Sequence, residues 1–177
     1  MTRYVLLGNS AAAVGCIEGI RRLDTGGTIT VVSSEPYFTY SRPLISYLLE
    51  GRTTRERMAY RPADFYERNG VTPLLGRTAL ALDPEKKTVR LDDGRLIPYD
   101  KLLVATGSRP FVPPMEGLDG VEKAFTFMSL DDAEALEAAL TPETRVLIVG
   151  AGLIGLKCAE GIRERVKSID VADLAER

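Results

Sequence analysis

Residues 145–163 repeat residues 3–21 at an offset of 142, and no other feature of this chain narrows its fold as much. Gly150 answers Gly8, Arg145 answers Arg3, Cys158 answers Cys16, and the run Glu160, Gly161, Ile162, Arg163 answers Glu18, Gly19, Ile20, Arg21. Each copy reads as a short apolar strand, a tight turn of small residues and a helix. In the later copy Gly150, Gly152 and Gly155 complete G-x-G-x-x-G, with Ala151, Leu153 and Ile154 between them. The earlier copy keeps Gly8 but has Ser10 and Ala13 at the second and third glycine positions, with Ala11 and Ala12 between. Such a turn admits a pyrophosphate because small side chains let backbone come close, while the following helix offers unpaired N–H groups and the positive end of its dipole.

A strand follows each helix, over residues 28–32 and 168–172. The first closes with Ser33, Ser34 and Glu35, the last of them 27 positions after Gly8; the second closes with Asp173, 23 positions after Gly150. A carboxylate at this place accepts the hydroxyl pair of a ribose. Asp173 favours NADH over NADPH, since a carboxylate repels a 2′-phosphate, and the neighbouring Arg177 works against that preference. Two turns of this kind imply two dinucleotides.

Between the copies, residues 35–43 form an aromatic-rich turn holding Arg42 and Pro43, and the Arg42 guanidinium is suited to clamp a phosphate. Helices are expected over residues 44–50 and 62–68, the latter ended by Asn69 and Gly70, with a strand over 71–75. Residues 78–82, 88–91 and 95–99 alternate around turns as an antiparallel meander. Residues 101–107 read as a buried strand ending in Ala105, Thr106 and Gly107, small enough for backbone to pass close to a ligand. Pro110, Pro113 and Pro114 mark a linker, and residues 129–140 a helix with Ser129 as N-cap. The expected domains are 1–113 and 129–177, joined by a linker over 114–128.

Composition removes whole classes of function. The chain is 45% hydrophobic and 27% charged, the balance of a globular protein. Lys plus Arg number 23 against 25 Asp plus Glu, a net charge of -2, which leaves no footprint for nucleic acid or an anionic membrane. No apolar stretch has membrane-spanning length. With 0 His, a Ser-His-Asp triad or a zinc hydrolase centre is excluded, so any chemistry must come from elsewhere, most simply from a cofactor. Cys16 and Cys158 are too far apart for a CxxC motif and, without a signal peptide, point to a reducing cytoplasm. On their helices both read as small buried hydrophobes.

Together these residues resemble the two-dinucleotide-binding-domain flavoproteins, the FAD-dependent pyridine nucleotide oxidoreductases. Residues 8–13 look like the FAD pyrophosphate motif, Ala105, Thr106 and Gly107 like the hydrophobic A-T-G motif, and residues 150–155 like the NAD(P)H motif. Glu35-Pro36 followed by Tyr40-x-Arg42-Pro43 is similar to the ferredoxin and rubredoxin reductase branch and to the flavin-containing part of nitrite reductases. The resemblance implies an α/β, FAD/NAD(P)-binding Rossmann-like fold of three layers with an antiparallel β meander, followed by the start of a second Rossmann unit. It implies FAD contacts from Arg42 and Arg109, with Ala79 over the adenine. The implied activity is hydride transfer from NAD(P)H to FAD and electron delivery to a carrier protein or other acceptor; the competing class is a non-catalytic nucleotide-binding or interaction module.

The chain also departs from the family pattern. Residues 36–51 contain no cysteine, which removes the thiol chemistry of the disulfide reductase branch. Tyr47 stands where the ferredoxin reductase branch often has a lysine near the flavin ring, and Lys157 where many relatives have a glutamate near the nicotinamide. Ser33 takes the end-of-strand acid position, leaving Ser34 or Glu35 to serve the FAD ribose. Members of the family are more than twice as long, so the chain is expected to be the N-terminal part of a larger protein, with apolar surface that promotes homo-oligomers or domain swapping.

Overall fold

A computed structural model describes residues 1–175 and divides the chain into two compact units. The first comprises Met1–Tyr40 and Ala59–Ser108; the second comprises Ser41–Met58 and the residues from Arg109 onward.

In the first unit, β1 (Arg3–Leu7), β2 (Thr28–Ser33), β3 (Val71–Leu75) and β7 (Lys101–Val104) form a parallel sheet in the order β3-β2-β1-β7. A second, antiparallel sheet contains β4 (Ala79–Asp83), β5 (Thr88–Leu91) and β6 (Leu96–Pro98). The strand alternation of β1 sends its side chains to two cores. Leu6 joins Ala13, Val14 and Ile17 of helix α1 (Ala11–Leu23) and Phe65 and Tyr66 of helix α3 (Phe65–Arg68), while Val5 and Leu7 join Val89, Leu91 and Tyr99 of the meander side. The result is three layers: helices, parallel sheet, meander. Each fully buried aliphatic side chain here contributes about 1.5–3 kcal/mol.

Arg21 ties the ends of these elements together. Its guanidinium donates to the carbonyls of Asp24, Gly27, Asn69 and Gly70, at 2.6 to 3.3 Å. Asp24 in turn accepts the amides of Gly26 and Gly27 and the Tyr4 hydroxyl, closing the turn after α1. At the same end of the sheet, where β1 and β7 begin, Arg3 and Asp100 pair at 2.7 Å.

The second unit holds α2 (Ile45–Leu49), α4 (Leu130–Ala139), β8 (Arg145–Val149), α5 (Leu153–Ile162) and β9 (Ser168–Ala172), with β8 and β9 paired in parallel. Helix α5 lies close against α2 because Gly161 has no side chain: a Cβ there would stand 3.0 Å from the Ser46 carbonyl oxygen. A reciprocal capping box of Ser129 and Asp132 closes the N-terminus of α4.

Three elements differ from the sequence reading. The strand expected over 101–107 stops at Val104, is the sheet's edge and is not buried, Val104 being 60% exposed. The helix expected over 62–68 begins only at Phe65, after a turn in which its amide donates to the Pro62 carbonyl. The helix expected over 44–50 is a 3-10 turn (Arg42–Leu44), with Pro43 in its first turn, running into a single helical turn.

Candidate functional site

The two glycine turns are built alike. Gly8 and Gly150 both sit at φ 110°, a conformation that L side chains rarely adopt. The Gly8 amide donates to the Val32 carbonyl at 2.8 Å, and the Gly150 amide to the Ala172 carbonyl at 2.7 Å, so each turn is stitched to the end of its neighbouring strand. The helix after each turn has no side-chain cap, in contrast to α4. Their first-turn amides therefore remain available to an anion.

At the second turn the three glycines serve three needs. A Cβ on Gly150 or Gly152 would meet nothing within 4 Å, leaving open space over the backbone. A Cβ on Gly155 would come within 2.0 Å of the Gly150 carbonyl oxygen, so this glycine lets the helix pack on its own turn. Leu153 and Ile154 are exposed. Asp173 follows β9 and accepts the amides of Ala151 at 2.6 Å and Ala175 at 2.8 Å, which hold its carboxyl below the usual range. Arg177 lies outside the described residues.

At the first turn the constraint is different. A Cβ on Gly8 would lie 2.1 Å from the Ala105 carbonyl oxygen, and the Ala105 amide donates to the Leu7 carbonyl at 2.8 Å. The structure thus brings Ala105 directly against the turn, with Thr106 and Gly107 exposed beyond it. Ser10 makes no capping bond, Ala11 and Ala12 are exposed, and Ala13 is fully buried in the helical core. Ser34 is exposed and Glu35 is half-buried, its carboxylate accepting the Tyr40 hydroxyl at 3.0 Å. Because Leu7 pairs with Val32 and Val149 with Ala172, Ser33 is the register counterpart of Asp173. Ala79 begins β4 and packs against the meander-side core.

Arg42, Pro43 and Arg109 belong to the second unit. Arg42 donates to the Met128 carbonyl at 3.4 Å, and Arg109 is exposed. Lys157 pairs with Glu160 and lies 5.1 Å from the centre of the Tyr47 ring, which Arg52 also approaches. Burial pushes the Cys16 thiol up and the Cys158 thiol up to about 11, so neither carries a thiolate at neutral pH. Among the described residues no group of His, Cys, Asp or Glu is placed to hold a metal ion, and no helix is long and apolar enough to cross a membrane.

Sequence reasoning passed over Asn9. Its side-chain oxygen accepts the hydroxyls of Thr39 at 2.8 Å and Tyr66 at 2.6 Å, and its nitrogen donates to the Tyr37 carbonyl at 3.1 Å. An asparagine inside a glycine turn was the one available signal; nothing in the spacing points to Thr39 or Tyr66.

Two such turns at the ends of parallel strands define a dinucleotide-binding α/β protein. The chain belongs to the pyridine nucleotide-disulphide oxidoreductase family, which residues 2–177 match. It is 34% identical over 176 residues to the epsilon subunit of the NADH-dependent phenylglyoxylate dehydrogenase of Aromatoleum evansii, covering 99% of this chain and 42% of that one. It is 35% identical over 175 residues to the NAD(P)H nitrite reductase of Bacillus subtilis strain 168, covering 98% and 22%. In fold it is similar to the ferredoxin reductase of Rhodopseudomonas palustris, with a TM-score of 0.88 at 23% identity over 100% of this chain and 44% of that one. The chain spans about two fifths or less of the length of these curated relatives. FAD and NAD(P)H are the cofactors of the family, and the open backbone at Gly150 and Gly152 and the uncapped helices fit adenine dinucleotides.

Proposed function

We propose that this chain is the nucleotide-binding part of an NAD(P)H-dependent FAD oxidoreductase acting in the cytoplasm, with electrons passing to a carrier protein or other acceptor. The observation that carries this reading is the matched geometry of the two turns, each with a glycine at φ 110° and an uncapped helix behind it. The chemistry that the bound cofactors supply is hydride transfer from nicotinamide to flavin. The protein's own part is binding and orientation.

In this reading the backbone at Gly8, Ser10, Ala11, Ala12 and Ala13 holds the FAD pyrophosphate through the free amides of α1. Ser34 and Glu35 serve its ribose, Ala79 its adenine, and Ala105, Thr106 and Gly107 border it. Arg42, Pro43 and Arg109 contact FAD from their own segments. Gly150, Gly152, Leu153, Ile154 and Gly155 hold the nicotinamide dinucleotide, with Asp173 on its ribose and a preference for NADH. Residues 1–113 are then the first segment of the FAD domain and residues 129–177 the start of the NAD(P)H domain, joined by 114–128. The ferredoxin reductases among the relatives support a small redox protein as acceptor.

The test is the visible absorbance of the purified chain with and without added FAD, followed by anaerobic NADH. A bound oxidised-flavin spectrum that bleaches on adding NADH supports the oxidoreductase. Flavin uptake without bleaching makes the chain a nucleotide-binding module, and absence of uptake overturns the assignment of the first turn for this chain.

A further inference from the structure

The polar cluster around Asn9 does something that packing does not require. Thr39 is 5% and Tyr66 6% exposed, and an apolar trio would fill such a place without having to satisfy three polar groups. Instead three segments converge on the residue between Gly8 and Ser10. Asn9 contributes its side-chain amide, the loop after β2 contributes Thr39, and α3 contributes Tyr66. The Thr39 and Tyr66 hydroxyls are also 2.7 Å apart, and the Thr39 amide donates to the Tyr66 oxygen at 3.3 Å. Every one of these bonds to Asn9 uses its side chain or carbonyl, so none of them consumes a backbone amide of the turn.

The cluster fixes the loop as well as the turn. Asn9 holds the Tyr37 carbonyl, Thr39 is locked between Asn9 and Tyr66, and Tyr40 donates to Glu35, so the segment bearing Glu35 is tied at three successive points. Phe38 stacks on the Tyr66 ring at 5.2 Å, reinforcing the same attachment. On its other side the Glu35 carbonyl accepts the Gly76 amide at 3.2 Å. Glu35 therefore cannot shift relative to Gly8 without breaking several of these hydrogen bonds.

We propose that Asn9, Thr39 and Tyr66 set the distance between the first pyrophosphate turn and the loop carrying Glu35, and so position an adenine dinucleotide that they do not touch. This rests on the reading of that turn and loop as the FAD site. They are positioning residues: the ligand meets backbone amides and the Glu35 carboxylate, and the cluster holds the turn and the loop that carry them in one fixed relation.

FAD affinity, read by quenching of flavin fluorescence, tests this with Thr39→Val, Thr39→Ser, Tyr66→Phe and Asn9→Ala. Leaving one buried partner unsatisfied corresponds to about a tenfold rise in Kd for Thr39→Val and for Tyr66→Phe. Thr39→Ser restores the hydroxyl and is expected to stay within about twofold of the parent. Tyr66→Phe keeps the ring and its stacking, and adding it to Asn9→Ala should cost little more than Asn9→Ala alone. Inorganic pyrophosphate, which fills the turn without reaching Glu35, should compete equally in all of them. Parent-like FAD affinity in Thr39→Val and Tyr66→Phe overturns the proposal, as does failure of Thr39→Ser to rescue, or equal weakening of pyrophosphate. If the parent chain itself takes up no FAD, it is the flavin reading of the turn that falls, and the proposal with it.

Discussion

The carboxylate of Asp173 accepts the backbone amide of Ala151 at 2.6 Å, so the acid that ends β9 is already fastened to the glycine turn that opens α5. A carboxylate has about four acceptor sites, and Ala151 and Ala175 occupy two. The others can take ribose hydroxyls while the charge repels a 2′-phosphate. Asp173→Ser should raise the ratio of NADPH to NADH affinity about tenfold, measured by competitive binding of the two nucleotides. An unchanged ratio would remove Asp173 from the cofactor's ribose.

Gly8 and Gly152 separate folding from binding. At Gly152 a side chain projects into open space, so Gly152→Val should leave stability nearly unchanged, abolish the response to NADH and spare FAD. At Gly8 a Cβ would strike the Ala105 carbonyl, and the φ is left-handed as well. Gly8→Ala should lower the melting temperature by about 5 °C or more, read by circular dichroism, whatever ligand is present. Loss of both cofactors together in Gly152→Val would argue against two separate sites.

Arg21 and Arg163 are the same residue of the repeat with different employment. Arg21 donates to four carbonyls, whereas Arg163 is exposed and pairs with its neighbour Glu164. Arg21→Lys loses the planar fork and should cost about 2–3 kcal/mol in urea unfolding. Arg163→Lys should change stability by less than about 0.5 kcal/mol. Equal costs would mean that the clamp of Arg21 contributes nothing beyond an ordinary surface charge.

The sequence announced what its periodicity and small residues could carry. The bounds of β3, β5 and β9 were met, because apolar and β-branched runs bounded by turn residues mark strands. Both glycine turns were legible because a left-handed φ demands glycine at Gly8 and Gly150. The end of β7 was not: Ala105, Thr106 and Gly107 extend the apolar pattern, yet the chain leaves the sheet there with its last strand residue on an open edge. Nor was the role of Asn9, since its partners lie 30 and 57 positions away and hydroxyls at those places have many other uses. The placement of Arg42 in the second unit was equally hidden, because no local pattern says which unit a loop will join.

Asp100 should give the first unit a share of its acid sensitivity. Two bonds from the Arg3 guanidinium and one from its amide hold the Asp100 carboxyl well below the usual carboxylate range. A depressed folded value means that the stabilisation is complete above the unfolded value of about 3.9 and disappears as pH falls toward the folded one. The melting temperature of the parent should exceed that of Asp100→Asn by a constant margin above about pH 5 and converge on it below about pH 4. Both side chains are 40% exposed or more, so salt should shrink the margin. A margin that grows toward acid would contradict the pairing.

Leu147 and Val149 occupy the repeat positions of Val5 and Leu7, and the comparison shows what each needs. Val5 and Leu7 are 1% and 7% exposed under the meander; Leu147 and Val149 are 64% and 54% exposed on β8. Alternation puts the two on one face of the strand. Water is expelled from such a surface when a like surface meets it, so the apparent mass of the chain should rise with concentration in size-exclusion light scattering. Replacing Leu147 and Val149 together by lysine should return it to monomer, with the far-UV spectrum unchanged because neither side chain is in a core. A parent that stays monomeric at high concentration would show that this face does not drive association.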